Sequence, residues 1–406
     1  MEENMKNKVD FCLSCPKPRC ETGCPTGNHI RDFIKALKED NLEAAAKTLY
    51  SVNPFPEITS RVCDCNRQCQ GHCIRGLRGA PVEIQLIERY ISDHIPFTPK
   101  VGKNNGRSVA LIGAGIANAA AAFELIENGY SVTFFEKEDS FGGAIYTGIP
   151  GYRFDKAYLD KIFEKLVAAG AQFRFEVEVG KDITLAEISK QFDRVIVSIG
   201  AAVEGRGGLS ANEGYSAGLT LLHDLNVDGN KQKYQNYKHA IVWGGGNVAM
   251  DVARSLIRII PDVTIVYRRS LKEMPANADE IEDVIKEGVK VDYLNNIVEL
   301  RLDENGKVTG AHCVKMELGE MDASGRASCH EIAGSDYEVD ADLIVAAIGQ
   351  KVNLAAVDGK LAKGEAGHLS SIPNVYLSGD AFLGPKTVAA AIHDGKDAAK
   401  EVMASF

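Results

Sequence analysis

The feature that most restricts how this chain can fold is a concentration of cysteine near its N-terminus. Eight of the ten cysteines lie between Cys12 and Cys73, although the chain has 406 residues. The first four, in CLSCPKPRCETGCP, follow the spacing C-x2-C-x4-C-x3-C-P, and the other four stand in VCDCNRQCQGHC. This asymmetry predicts a separate N-terminal module that is organised around its thiols.

Composition and terminal sequence indicate the compartment. A net charge of −10 argues against a broad nucleic-acid surface. The opening segment MEENMKNKVD lacks the apolar run of a secretory signal, and the chain has no apolar run of about eighteen residues that could span a membrane. We therefore expect a soluble cytoplasmic protein with neither nucleic-acid nor membrane partners. Thiols stay reduced in that compartment, which favours metal ligation over disulfides.

The cysteine spacing distinguishes two kinds of metal site. Zinc sites usually contain paired C-x2-C knuckles, and only one such pair, Cys12 and Cys15, occurs here. A tight cysteine run that ends in Cys-Pro, as at Cys24, is typical of iron–sulfur proteins, and its last cysteine characteristically binds the other cluster of a pair. The spacing therefore favours two iron–sulfur clusters over two zinc sites.

Helical patterns accompany these cysteines. The segments HIRDFIKALKEDNLEAAAKTLY and PVEIQLIERYISD carry apolar residues at helical spacing. The segment PFTPKVGKNNGR, which follows, is rich in Pro, Gly and Asn and is typical of a linker. We predict a helical domain with two iron–sulfur clusters over residues 1–100.

A dinucleotide-binding pattern follows the linker in RSVALIGAGIANAAAAFELIENGYSVTFFE. An apolar strand leads into Gly113 and Gly115, an alanine-rich helix follows, and a second strand ends at Glu136. The glycines allow a pyrophosphate to approach the helix N-terminus, and the acidic residue binds ribose hydroxyls. Asn118 occupies the third position, where Gly or Ala normally serves close packing, so we expect altered packing of this helix.

A second unit of the same kind lies in HAIVWGGGNVAMDVARSLIRIIPDVTIVYRR. Its loop contains Gly244 and Gly246, and its second strand ends in Arg268 and Arg269 in place of an acidic residue. A cation at this position accepts the 2′-phosphate of NADP. The alternative interpretation is that the two arginines only cap a solvated strand end.

The C-terminal segment NVYLSGDAFLGPKTVAAAIHDGKDAA fits a flavin site. A strand leads into Gly379 and Asp380, and a helix starts near Thr387. The Asp carboxylate can accept from a ribityl hydroxyl while the helix dipole faces the electron-rich edge of the ring.

These motifs together resemble a known family. CLSCPKPRCETGCP, NPFPEITSRVC, GGAIYTGIPGYR, GGGNVAMDVARS, VYRRSLKEMPA and SGDAFLGPKTVAAAIHDGK are similar to segments of the small subunit of bacterial NADPH-dependent glutamate synthase and of the flavin subunit of bacterial dihydropyrimidine dehydrogenase. The resemblance implies an α/β fold in which a helical domain with two four-iron four-sulfur clusters precedes two Rossmann-like domains. It places an FAD domain at residues 101–225 and 343–406, with an NAD(P)H domain inserted at residues 226–342.

The resemblance also implies the ligands of each cofactor. One cluster would be held by Cys12, Cys15, Cys20 and Cys73. The other would be held by Cys24, Cys63, Cys69 and the carboxylate of Glu88. A plain count of eight cysteines would instead use Cys65 and leave Glu88 without an iron. Further cofactor contacts are expected at Lys137, Gly143, Arg153, Val179, Gly200 and Asn247.

The family relay runs from NADPH to FAD and then through the clusters to a larger catalytic subunit, and no side chain is expected to act as acid or base. Within the family, a glutamate synthase small chain and a dihydropyrimidine dehydrogenase flavin subunit both stay open. Two alternatives belong to other classes. A disulfide reductase needs a C-x-x-C near the flavin, and none follows residue 73. The second alternative is a non-catalytic interaction subunit whose flavin site has decayed.

Overall fold

The computed structural model describes residues 1–321 and 325–406. It divides into two compact units. The first comprises Met1–Tyr146, Tyr152–Ala201 and Val352–Phe406, and the second comprises Thr147–Gly151 and Ala202–Lys351. No helix in the described ranges combines the length and the apolar character needed to cross a lipid bilayer.

The N-terminal hundred residues of the first unit form short helices joined by the cysteine loops. Ile30, Phe33, Ile34 and Leu37 recur at the spacing of one helix face and are buried together. The fourth helix is capped by Asn41, whose Oδ1 atom accepts from the Ala44 N–H at 2.9 Å. The helices are α1 (Glu3–Asp10), α2 (Arg19–Thr22), α3 (Ile30–Lys38), α4 (Leu42–Tyr50), α5 (Pro56–Val62) and α6 (Ile84–His94).

The rest of the first unit is a parallel sheet in the order β16-β4-β1-β2-β3. Its edge strand comes from the C-terminal segment, so the sheet is complete only after the chain returns from the second unit. The strands are β1 (Ser108–Ile112), β2 (Ser131–Phe135), β3 (Gln172–Arg174), β4 (Arg194–Val197) and β16 (Val375–Leu377). The helices are α7 (Ile116–Glu127), α8 (Ala144–Thr147), α9 (Ala157–Ala168), α10 (Leu185–Gln191), α14 (Asp380–Leu383) and α15 (Val388–Ala404).

The second unit contains another parallel sheet, in the order β6-β14-β7-β8-β9. Its strands are β6 (Tyr215–Ala217), β7 (His239–Trp243), β8 (Asp262–Tyr267), β9 (Lys290–Tyr293) and β14 (Leu343–Ala346). Its helices are α11 (Gly218–Asn226), α12 (Asn247–Ile257) and α13 (Ala278–Lys286), and a short ladder joins β5 (Val203–Glu204) to β15 (Gln350–Lys351).

An antiparallel sheet stands between β9 and β14 in the chain, and the sequence patterns did not predict it. It is built on one long strand, β11, which pairs with each of its neighbours. The strands are β10 (Asn295–Leu302), β11 (Val308–Met321), β12 (Ala327–Glu331) and β13 (Tyr337–Asp340). The α/β fold with a helical N-terminal region and two Rossmann-like sheets is otherwise as expected.

The domain borders predicted from the sequence differ from the borders that the strand pairing indicates. The sequence analysis places residues 215–217 and 343–346 in the FAD domain. In the structure these residues are strands β6 and β14, which pair with each other in the second sheet. The physical reason is that a short apolar strand carries the same pattern in either parallel sheet. Only the pairing partner decides to which sheet it belongs.

Helices α7 and α15 approach each other closely at Gly395. A Cβ atom built at this position would lie 2.0 Å from the Ala117 carbonyl oxygen, and the other two nearest atoms also belong to the Ala117 backbone. Backbone cannot move aside as a flexible side chain can. Gly395 is therefore required for the packing of the C-terminal helix on the first sheet.

We expect Gly395→Ala to destabilise the protein, because overpacking of a tight contact costs about 1–3 kcal/mol. The substitution would otherwise favour a helix by about 0.5–1 kcal/mol. The thermal unfolding midpoint checks the sign. Gly359→Ala is a matched control, since no atom lies within 4 Å of its built Cβ. An unchanged or raised midpoint in Gly395→Ala would contradict the packing argument.

Candidate cluster-binding and dinucleotide-binding sites

Four cysteines converge on one cavity of the first unit. Cys12, Cys15, Cys20 and Cys73 line a space of about 470 Å³, which includes its open mouth. Their loops are set by α1 on one side and by the turn after Cys73 on the other. These are the four cysteines that the family resemblance implies for one cluster, although Cys12 and Cys73 lie 61 residues apart in the chain.

The charge balance of this cavity fits a bound metal cluster. Burial raises the pKa of the Cys20 thiol to about 12, and the neighbouring Glu21, Cys73 and Cys12 add to the rise. Metal ligands of this type bind as thiolates, and a bound cation offsets the cost of holding several negative charges together. The donor set of four thiols is thus suited to a positively charged iron–sulfur core.

A second group lies around Cys63. Loss of hydration raises the pKa of its thiol well above the ordinary value, and nearby Glu88, Cys69 and Cys24 raise it further. The pKa of the Cys69 thiol is raised by burial and then by Glu88 and Cys24. The fold therefore brings together Cys24, Cys63, Cys69 and Glu88, the set that the resemblance implies for the other cluster.

Glu88 is held in place by polar side chains from α5 and the loop before it. Its Oε1 atom accepts from Thr59 Oγ1 at 2.5 Å and from Asn53 Nδ2 at 3.2 Å. Burial raises the pKa of this carboxyl to about 7, and the two hydrogen bonds oppose the rise. A carboxyl so fixed and so poorly hydrated is suited to donate an oxygen to iron.

Cys65 belongs to the same neighbourhood, but its thiol has a protein partner. Cys65 is buried, and its Sγ atom donates to Gln85 Oε1 at 3.2 Å. Gln85 is in turn held by the Cys63 carbonyl, to which its Nε2 donates at 3.2 Å. This arrangement supports the assignment in which Cys65 stays outside the cluster.

Within residues 1–321 and 325–406, no three His, Cys, Asp or Glu side chains are grouped closely enough to hold one metal ion.

The first glycine loop turns tightly between β1 and α7. Gly113 has a φ of +91°, and a Cβ there would lie 2.4 Å from the Ser198 carbonyl oxygen. Gly115 precedes the first residue of α7, and no atom lies within 4 Å of its built Cβ. The helix N-terminus therefore has open space for a phosphate.

Glu136 closes this loop from the end of β2. Its Oε2 atom accepts from the Ala114 N–H at 2.6 Å and its Oε1 atom from the Glu138 N–H at 3.0 Å. Burial raises the pKa of the carboxyl and these two hydrogen bonds oppose the rise. A carboxylate has about four acceptor sites, so two remain for the hydroxyls of a ribose.

The Asn118 side chain forms hydrogen bonds to the backbone of the first glycine loop. It is fully buried, and its Nδ2 atom donates to the carbonyls of Ile112 and Gly113 at 2.9 and 2.8 Å. The altered packing expected at this position therefore takes the form of a tether, in which the side chain ties α7 to the end of β1. The loop is stabilised by this residue.

The C-terminal turn is held by a buried network. Gly379 has a φ of +60°, and its N–H donates to Asp394 Oδ2 at 2.6 Å. His368 lies between Asp394 Oδ1, at 3.0 Å from its Nε2, and Glu401 Oε1, at 2.8 Å from its Nδ1. Burial lowers the pKa of His368, but the bonds to Asp394 and Glu401 outweigh it, so the pKa lies above the ordinary value.

Asp380 and Thr387 occupy the positions expected from the motif. The Asp380 Oδ1 atom accepts from the Lys386 N–H at 3.1 Å. Thr387 caps α15, since its Oγ1 accepts from the Ala390 N–H at 3.2 Å. The sequence reasoning missed Asp394 and His368, because their roles depend on a contact between α15 and a distant loop.

The remaining residues of the first unit that are expected to contact a cofactor differ in their surroundings. A Cβ at Gly143 would lie 3.1 Å from the Gly115 Cα atom, so these two glycines converge. Gly200 has a φ of +68° and open space around it. Val179 packs in the apolar core of the sheet, Lys137 is exposed, and Arg153 is half-buried.

The second glycine loop repeats this design between β7 and α12. Gly244 has a φ of +145°, and a Cβ there would lie 2.2 Å from the Ala347 carbonyl oxygen. Gly246 precedes α12 and has open space beside it. Asn247 is fixed by Asn277, whose N–H donates to Asn247 Oδ1 at 2.8 Å. This helix N-terminus is also open to a phosphate.

The two arginines after β8 differ in their surroundings. Arg268 is exposed, whereas Arg269 is buried and its Nε donates to the Ala327 carbonyl at 2.7 Å. Arg326, which the sequence reasoning missed, joins them. Burial raises the pKa of Tyr267, and the positive charges of Arg269, Arg326 and Arg268 oppose the rise. The positive charges of three arginines thus act on one hydroxyl group, which an isolated strand cap would not require.

Comparisons with known proteins accord with this geometry. Residues 1–98 match the family described as dihydropyrimidine dehydrogenase domain II, 4Fe-4S cluster, and residues 107–395 match the pyridine nucleotide-disulphide oxidoreductase family. The small chain of glutamate synthase [NADPH] from Escherichia coli K12 is 31% identical over 99% of this chain and 91% of its own length. The chain belongs to this glutamate synthase small-chain family. It is a subunit of an NAD(P)H-dependent oxidoreductase.

Two further matches extend the comparison. The beta subunit of an NADP(+)-dependent formate dehydrogenase from Moorella thermoacetica is 33% identical over 94% of this chain and 59% of its own length. The solved structure of FprA from Mycobacterium tuberculosis in complex with NADPH has a TM-score of 0.65 and 19% identity, over 73% of this chain and 84% of that chain. At this identity the likeness concerns the fold alone.

The disulfide reductases share part of this fold, so the later cysteines matter. Cys313 on β11 is buried and lies opposite Ile297 and Tyr337, whereas Cys329 on β12 lies opposite Leu318. The two thiols are therefore not paired across the ladder. This placement agrees with a structural role for both.

We expect Cys65→Ser to leave the iron content and the spectrum of the reduced clusters nearly unchanged, because the Cys65 thiol is hydrogen-bonded to Gln85. Glu88→Ala should shift or abolish the signal of one cluster, since ligand identity tunes its potential. Glu88→Gln, which retains an oxygen donor, is the matched control. The measurements are iron analysis and electron paramagnetic resonance of the reduced protein. Iron loss in Cys65→Ser together with a silent Glu88→Ala would favour the plain cysteine count.

We expect Arg268→Glu to lower kcat/KM for NADPH about ten- to a hundredfold and to change that for NADH little, because a charged hydrogen bond is worth about 1.5–3 kcal/mol. Steady-state kinetics with both nucleotides checks this. Lys290→Glu is the control, since Lys290 is exposed and begins β9 at the opposite end of the sheet. A wild type that prefers NADH, or a variant that keeps its NADPH preference, would contradict the assignment.

Proposed function

We propose that this chain is the electron-input subunit of a larger oxidoreductase. It takes electrons from NADPH, holds FAD at the first glycine loop, and passes single electrons through two four-iron clusters to a larger catalytic subunit. The observation that carries this proposal is the presence of two open glycine loops and two separate groups of four ligand side chains in one chain.

Each part of the chain has a distinct task in this proposal. Gly113 and Gly115 leave room for a pyrophosphate, Glu136 accepts ribose hydroxyls, and Asp380 accepts from the ribityl chain. Arg268 attracts the 2′-phosphate of NADPH at the second loop. A bound flavin accepts two electrons together and releases them singly, which is the conversion that a hydride donor and iron–sulfur clusters require.

The main role of the protein groups that hold the cofactors is to align the two rings between which hydride is transferred. Hydride transfer between two rings needs a fixed geometry more than it needs a proton donor, so no side-chain acid or base is assigned. Asp394 and His368 support this alignment, because they hold the Gly379 turn through a hydrogen bond at 2.6 Å. Asn118 supports it from the other side of the site by tying α7 to β1.

The relatives support two candidates for the partner. The Escherichia coli small chain, matched over nearly its whole length, favours the large chain of an NADPH-dependent glutamate synthase. A second candidate is a dihydropyrimidine dehydrogenase-like complex, which is favoured by the match of residues 1–98 to that enzyme's iron–sulfur domain. Both candidates would receive electrons from this chain, and they differ in the final acceptor.

The test is to purify the chain without oxygen, record its spectrum, and assay it alone. We expect flavin bands, a broad iron–sulfur shoulder and about eight iron atoms per chain, as two four-iron clusters require. The chain should oxidise NADPH with an artificial dye and form no glutamate by itself. A spectrum without flavin would favour the non-catalytic alternative. Flavin bands without iron would favour a disulfide reductase, and glutamate formation by the isolated chain would refute the subunit assignment.

A further inference from the structure

The second group of expected iron ligands, here called the Glu88 group, consists of Cys24, Cys63, Cys69 and Glu88. Two threonine hydroxyls reach its ligand atoms. The Oγ1 atom of Thr26 lies 3.0 Å from Cys24 Sγ. The Oγ1 atom of Thr59 donates to Glu88 Oε1 at 2.5 Å. Both threonines are only 2% exposed, so these contacts are shielded from water.

The chemistry of a metal ligand fixes the direction of the Thr26 contact. A cysteine that binds iron is a thiolate and carries no proton, so the Thr26 hydroxyl must be the donor. Burial raises the pKa of the Cys24 thiol, and the Thr26 hydroxyl opposes the rise, as a donor to the charged form does. The contact is therefore a charge-assisted hydrogen bond to a ligand sulfur.

Asn53 orients the second hydroxyl. Its Oδ1 atom accepts from the Phe55 N–H at 3.0 Å, and its Nδ2 atom donates to Thr59 Oγ1 at 2.8 Å. Because Thr59 Oγ1 accepts this bond, its single proton is available for Glu88 Oε1, which is closer than the Phe55 carbonyl at 3.3 Å. Asn53 Nδ2 also donates to Oε1 at 3.2 Å, so Oε2 is the oxygen of Glu88 that is left to bind iron.

The donors at the two groups of expected ligands differ in kind. Among the four cysteines of the first cavity, Cys73 Sγ accepts from the backbone N–H of Val82 at 3.5 Å. A backbone donor is present whatever the side chain is, whereas the donors at the Glu88 group are the hydroxyls of two particular residues. The properties of the Glu88 group can therefore be changed by the substitution of a single side chain.

We propose that Thr26 and Thr59 are positioning residues that raise the reduction potential of the cluster held by the Glu88 group. The inference rests on the proposed function, which assigns a four-iron cluster to this group. Reduction adds one electron, supplied by the flavin, and no covalent bond forms or breaks. The added negative charge is shared with the ligands, so hydrogen bonds to the ligands stabilise the reduced form more than the oxidised form.

The burial of the Glu88 group explains why such donors matter there. Glu88 and Cys69 are 6% and 9% exposed. A site of low polarity disfavours added charge, so burial by itself makes the reduction of a cluster harder. The two hydroxyls offset part of this cost, and the cluster accepts an electron from the flavin more readily.

The experiment uses the holoprotein, purified without oxygen, and measures the cluster potentials by a redox titration followed by electron paramagnetic resonance. Thr26→Val replaces the hydroxyl by a methyl group of similar size, whereas Thr26→Ser retains the hydroxyl. We expect the valine variant to have a potential more negative by about 59 mV, which is a tenfold lower ratio of reduced to oxidised cluster at a fixed solution potential. The serine variant should titrate like the wild type.

Thr59→Val and Thr59→Ser form a second, independent pair with the same expected difference. Thr48→Val is the control, because Thr48 is a half-buried residue of α4 whose Oγ1 donates to the Ala44 carbonyl at 2.9 Å. It should leave both potentials unchanged. The affected cluster is identified as the one whose signal changes in Glu88→Ala. Iron analysis checks that both clusters are retained, and if one valine variant loses its cluster, the pair at the other threonine decides.

Three results would overturn the tuning proposal. They are wild-type potentials in the valine variants, equal shifts in the serine and valine variants, and a shift confined to the other cluster. Each can be observed while flavin and both clusters are present, in which case the proposed function stands. The absence of iron–sulfur signals from the wild type would refute the proposed function instead, so the two failures are distinguishable.

Discussion

The packing of the C-terminal helix α15 on α7 is the contact on which the first unit depends. Gly395 allows the two backbones to meet, and the adjacent Asp394 holds the Gly379 turn through its N–H. Lys396, the next residue, donates to the Val52 carbonyl among the N-terminal helices at 2.8 Å. Three consecutive residues thus connect the sheet, the expected flavin turn and the cluster-bearing region.

This arrangement explains how one chain can hold several electron carriers. Cys20 lies in α2 and the other cysteines that are expected as ligands lie on loops, and both are mounted beside helices whose apolar faces form one buried core. The glycine loops lie at the carboxyl ends of parallel strands, where helix N-termini face outward. Rigid elements set the positions, and the loops supply the ligands.

Burial is used differently at the three kinds of site. At the cysteine groups it raises the pKa of the thiols, an effect that a bound iron–sulfur core would offset. At Glu136 backbone N–H groups compensate the buried carboxylate. At His368 the carboxylates of Asp394 and Glu401 compensate for the burial of the imidazole ring. At the cysteine groups the hydrogen bonds to Cys20, Cys24 and Cys69 only partly oppose the rise, since the pKa of each thiol stays above its ordinary value.

The sequence by itself determined the elements whose signals are local. Cysteine spacing, the Gly-x-Gly loops and the Cys-Pro ending each act within a few residues, so the helical region and both dinucleotide loops could be predicted, and the cysteine ligands stay a prediction. Only the tertiary structure decided which strands share a sheet, because β6 and β14 carry patterns that suit either one. It also decided that Asn118 tethers its loop, that Arg268 is exposed while Arg269 is buried, and that Arg326 joins them. These properties depend on residues far apart in the chain, and no local spacing encodes such contacts.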